Sequence, residues 1–190
     1  MKTVARVRVR LTSFRSLHLQ DCCRLASFAI LLGLVLVNLG MGQDAPADPE
    51  SGNAFCTFGD GKQISARYNP VAAGRNEGPP AGKIWLPGGS AMTLFTDTEV
   101  TISNTFIPTG AYTMYLMPGK KTWTLIVSKN TKVDGKYDEK NDLARAIMET
   151  GTLGDAEEQL KIFFGHLGPK QCELNVDYGK TRAWVEFKEK

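Results

Sequence analysis

Residues 107–130 read IPTGAYTMYLMPGKKTWTLIVSKN. Two runs rich in Tyr, Thr, Ile, Val and Leu, at 111–117 and 122–129, flank a Pro-Gly-Lys-Lys tip. Alternating runs of this composition, closed off by Pro and Gly, are the signature of strands, and a connection this short makes them a hairpin. The tip resembles a phosphate-binding loop only superficially. That loop needs an additional upstream glycine, a Ser or Thr after the lysine and a helix behind it, whereas here a strand follows.

Working outward, the same pattern predicts strands at 54–58, 63–68, 92–96, 100–103, 160–165, 172–177 and 182–187, separated by Gly, Pro, Asn and Asp. Asp60-Gly61 marks one hairpin turn and the Tyr-Gly-Lys-Thr-Arg run at 178–182 another, because glycine accepts the positive φ of tight turns. Many short strands with closely spaced turns predict an all-β fold, a single antiparallel β-sandwich of jelly-roll type. Two segments are less direct. Residues 138–150, DEKNDLARAIMET, are helix formers by propensity, yet period two places Ala144, Ala146 and Met148 on one face. DAEEQ at 155–159 is predicted as one helical turn capped by Asp155.

The N-terminus carries Lys2, Arg6, Arg8, Arg10, Arg15 and Arg24, then an uncharged apolar run at 25–37, then Gly40 and Gly42. This is the layout of a secretory signal peptide, with cleavage expected after Gly42. The alternative is an uncleaved inner-membrane anchor over 25–42, at the lower length limit for spanning a bilayer. Residues 1–42 hold six of the 23 Lys and Arg and one of the 20 Asp and Glu, so the remainder has 17 basic against 19 acidic residues, a net of −2. No basic footprint for nucleic acid remains. Residues 43–53, small, acidic and proline-containing, are expected to be a disordered tether, with the domain at 54–190. The expected location is periplasmic or extracellular, with membrane contact only through an uncleaved N-terminus.

Several motifs then line up in order: Pro108-x-Gly110-x-Tyr112 leading into a strand, Trp123-x-x-Ile126 ending near Asn130, and Tyr137-Asp138-Glu139-Lys140. Trp85, the 96–100 turn TDTEV and Leu143-Ala144-Arg145 add to the series. On these residues the chain resembles, over about 54–188, the secreted bacterial family called domain of unknown function 2911. The resemblance implies a β-sandwich and favours a strand at 143–150; it implies no biochemistry. Members commonly follow the tryptophan with Arg-x-Gly-Ala-Asn-Glu-x-Thr. Here Leu86 stands at the arginine position, Ser90 at the asparagine position and Ala91 at the glutamate position. The chain thus lacks that polar trio, and the glycines at 88 and 89 read as a bend.

Candidate chemistry is sparse. Beyond residue 42 the only histidine is His166 and the only cysteines are Cys56 and Cys172. One His and two Cys without a close ligand pair make a poor zinc set, so no metal and no cofactor is expected. In an exported chain the two cysteines are expected to pair. The acidic run Asp134, Asp138, Glu139 and Asp142 lacks calcium-loop spacing and is interleaved with Lys132, Lys136 and Lys140, which reads as a solvated loop. Asp97 and Glu99 are assigned to a turn. Trp123 and Trp184, inside alternating strands, are expected in the core. Trp85 belongs to the core or its rim; with Tyr112 and Tyr115, which an odd spacing sends to opposite faces, it forms the candidate ligand surface. The reading that follows is a non-catalytic binding module. The competing reading is a metal-independent hydrolase of an envelope or extracellular polymer, using Asp97, Glu99, Asp138, Glu139 or His166.

Overall fold

The computed structural model describes residues 51–73, 79–131 and 136–190. The predicted signal segment, the tether up to residue 50, and Asp134 lie outside the described residues. The strands are β1 (Gly52–Thr57), β2 (Gln63–Tyr68), β3 (Met92–Thr96), β4 (Val100–Ile102), β5 (Thr105–Ile107), β6 (Gly110–Met117), β7 (Trp123–Ser128), β8 (Asp142–Gly168) and β9 (Gln171–Glu189). Every pairing is antiparallel, in the order β1-β2-β3-β6-β7-β8-β9-β4-β5. The fold is all-β, as the alternation predicts. In place of two separate sheets, the described strands form one continuous sheet, because β8 pairs with β7 at its start and with β9 beyond.

Register explains the core. Met92 faces Met114, Met114 faces Val127, and Val127 faces Ala144, so one row of apolar side chains crosses β3, β6, β7 and β8. Leu116, Leu125 and Ala146 make the next row, all essentially buried. Residues 143–150 are therefore strand, despite their helix propensity. Burying Ala144, Ala146 and Met148 against β7 outweighs a preference of a few tenths of a kcal/mol per residue. The predicted helical turn at 155–159 is also extended and lies within β8. Residues 71–73 supply its ladder partners: Leu160 N–H donates to the Val71 carbonyl at 2.7 Å, and Ala73 N–H to the Glu158 carbonyl at 2.8 Å. An isolated helical turn would forgo those bonds and bear the cost of nucleation.

β9 bends strongly along its length, together with β8. Nineteen residues fully extended would separate their ends by roughly 60 Å, yet Glu189 N–H donates to the Lys170 carbonyl at 2.9 Å. The sequence predicts a hairpin at 178–182, but β9 runs on through Gly179, φ 57°, and pairs with β8 on both sides of it, so the two strands bend together there and no hairpin forms in β9. Its two legs bury Cys172, Leu174 and Val176, then Ala183, Val185 and Phe187, in one core with β1 to β7. At one edge of the sheet, β1 is tied to β9. Cys56 on β1 is bonded to Cys172 on β9, with Cα atoms 6.2 Å apart, and Gly59 N–H donates to the Pro169 carbonyl at 2.6 Å. β1 begins at Gly52, inside the predicted tether, because Gly52 pairs with Tyr68 at very close approach; a Cβ there would lie 2.4 Å from the tyrosine ring.

Candidate functional site: the outer face of β8 and β9

Trp85 is half-buried and held at both ends. Its backbone bridges to Leu116, and its indole meets Trp123 at 5.9 Å and Tyr178 at 4.9 Å, both edge-on. Residues 87–89 form a single 3-10 turn with Gly89 at φ 71°, so the glycine pair is the bend that the sequence suggests. Tyr112 and Tyr115 do face opposite sides, but neither is at the surface. Tyr112 is in the core, with its hydroxyl donating to the Pro108 carbonyl at 2.8 Å. Tyr115 is 1% exposed on the opposite face, where the Tyr137 ring stacks edge-on against it at 5.1 Å. The chain leading into β8 folds across β6 and β7 there, a long-range packing that local alternation does not encode.

The acids and the histidine proposed for catalysis are scattered. Asp97 accepts from Gln63 N–H at the start of β2, and Glu99 lies 3.9 Å from the Lys190 ammonium. Asp138 caps a 3-10 turn by accepting from Lys140 N–H at 3.1 Å, and Glu139 pairs with Arg145 at 3.2 Å. His166 is exposed near the far end of β8. Among the described residues no three His, Cys, Asp or Glu side chains converge as a metal set.

A concave feature lies elsewhere, on the outer face of β8 and β9. In β9, Ala183, Val185 and Phe187 are buried in the core, so Trp184, Glu186 and Lys188 point to the other side. Trp184 is half-exposed and pairs in register with Glu149 of β8. Around it opens a groove of about 280 Å³, whose walls include Ile147, Glu149, Glu173, Glu186 and the β4-β5 turn at Ser103 and Asn104. Ser103 and Asn104 adopt φ of 44° and 67°, the only non-glycine positive values among the described residues. The indole leans over Gly151: a Cβ there would stand 3.2 Å from the ring, tighter than most real contacts.

The adjoining row is closed by charge pairing. Asp177, fully buried, takes two parallel bonds from Arg182, Nε to Oδ1 and Nη2 to Oδ2, both at 2.7 Å. These bonds hold the guanidinium firmly protonated and place it 5.1 Å from the centre of the Phe163 ring. Glu173 is oriented by Asn175, whose Nδ2 donates to Oε1 at 3.1 Å. The site therefore presents one indole surface bordered by carboxylates, on the β8–β9 strand pair.

Trp184 is the residue that sequence reasoning placed wrongly, in the core. The sign was present: in Ala-Trp-Val-Glu-Phe-Lys, residues 183–188, the tryptophan shares its parity with Glu186 and Lys188. No curated protein and no solved structure matches the chain. The family described as protein of unknown function (DUF2911) matches residues 53–187, from the first strand to the last, and the chain belongs to that family.

Proposed function

We propose that this chain is an exported, non-catalytic binding module, acting at the cell envelope or outside the cell, whose ligand sits in the groove over Trp184. One observation carries the reading: Trp184 lies outside the core in a concave surface, while Trp123 is buried and Trp85 is locked among other rings. An indole kept half-open to solvent costs burial energy that a ligand with an apolar face recovers. Export is supported by the basic-then-apolar N-terminus and by the Cys56–Cys172 bond, a linkage that persists in oxidising compartments.

The competing hydrolase reading would draw its acid and base from Glu149, Glu173 and Glu186, which line one groove, and not from the scattered groups named from sequence. Binding of the exported chain to envelope fractions and glycan panels discriminates between the two. Trp184→Ala is expected to weaken capture at least about ten-fold, the scale of one buried aromatic contact, while Trp85→Phe leaves it unchanged. Turnover of a bound polymer that vanishes in Glu186→Gln would overturn the non-catalytic assignment.

A further inference from the structure

Resting on the binding-module reading, we infer that the groove over Trp184 takes an alkylammonium ligand, specifically a free linear polyamine. The charges facing the groove can be counted. Lys188 Nζ lies 3.6 Å from Glu186, which largely offsets both. Arg182 is committed to Asp177 by two hydrogen bonds. Glu149 and Glu173 form no ion pair among the described residues; Glu173 shares the field of Arg182, whose charge Asp177 already takes up, so the groove wall carries an excess of negative charge. The hydrogen bond from Asn175 orients Glu173 without neutralising it.

A wall with this excess of negative charge repels an anion, and its carboxylates must be dehydrated, without return, by a neutral ligand. A cation reverses both effects. Trp184 adds the face on which an ammonium is most favourably held. Ile147 is 68% exposed on the same wall, two residues before Glu149, and offers an apolar surface for the methylene stem between charges. Gly151 contributes by omission, since a Cβ there would crowd the indole at 3.2 Å and require it to give by a few tenths of an ångström. A groove of about 280 Å³ matches one slender, unbranched molecule.

The test is a titration of the exported chain with spermidine, followed by amide chemical shifts in two-dimensional NMR. Saturable shifts at 147–149, 173 and 184–186 are expected. Glu149→Gln and Glu173→Gln should each weaken binding about three-fold, and the double variant about ten-fold, with unchanged melting temperatures. Raising salt from about 0.02 M to about 0.2 M should weaken the wild type more than the double variant, as screening of exposed charges requires. Equal affinity in the wild type and the double variant would overturn the inference. Tighter binding of a lysine-rich peptide than of spermidine would overturn the free-polyamine assignment. Shifts at the same amides with a neutral oligosaccharide, and none with spermidine, would overturn the charge argument while leaving the binding module standing. No shift with any of these ligands or with envelope extract would overturn both.

Discussion

Two aspartate–arginine pairs sit on the long strands of this domain and differ in how they are closed. Asp177 is fully buried, and Arg182 satisfies both of its oxygens in a parallel fork. Asp142, 10% exposed at its side chain, receives Arg145 Nε at 2.7 Å and the Tyr137 hydroxyl at 2.8 Å on Oδ2 alone. Its Oδ1 is buried without a partner. The first pair is a finished structural joint. The second leaves a desolvated acceptor unmatched, a cost of about 1–3 kcal/mol. Identical residue types thus contribute differently according to whether every lone pair finds a donor.

The largest expected effect comes from the disulfide, which anchors the same leg of β9 that carries Asp177. Cys56 and Cys172 are 116 residues apart, so the bond restrains a long loop in the unfolded chain, and replacing both by alanine should cost about 2–5 kcal/mol. Amide exchange should then rise more at 172–177 than at 144–148. An equal rise at both would break the distinction between the two pairs.

Next in size is the removal of each arginine. Arg182→Ala strands a buried carboxylate and should cost about 3 kcal/mol, the low end for a broken buried pair because water reaches part of Arg182. Arg145→Ala should cost about 0.5–1 kcal/mol, since its side chain is 38% exposed and Tyr137 still serves Asp142. Urea denaturation of the two variants measures this, and similar losses would mean that the fork geometry is irrelevant.

The smallest effect is alkaline. Burial, reinforced by the hydrogen bond to Asp142, pushes Tyr137 up to about 12 from 10.0. A pKa raised on folding gives stabilisation that is complete below the unfolded value and lost as pH rises through the folded one. The contribution of Tyr137 should therefore hold below pH 10 and fade between pH 10 and 12. Denaturation midpoints of the wild type and Tyr137→Phe should converge over that window, and parallel curves would remove Tyr137 from the account.

Much of this molecule was legible residue by residue. Period two located β2 and β3 to the residue, and β1, β6 and β7 to within two residues at either end, because each strand has one face in the core. The Cys56–Cys172 pairing follows from count and the expected compartment, whereas the hairpin that turn chemistry predicts at 178–182 is absent, because both sides of Gly179 stay paired with β8. β5, only three residues long, gave too few alternations to notice. Trp184 departs from its expected place for a different reason. A tryptophan in a strand is usually inside, but Trp184 follows the parity of Glu186 and Lys188 and faces away from the core.

By itself, the sequence determined that the chain is all-β, where most strands run, and that each strand has two faces. Only the tertiary structure decided what covers each face. Tyr115 is buried because residues from another part of the chain, around Tyr137, lie across it, while Trp184 on an equally regular strand is left open to a groove. Residues 155–159 are strand because Ala72, Ala73 and Gly179 pair beside them. The reason is physical: alternation and propensity act within a few residues, whereas burial and ladder partners come from segments tens of residues away.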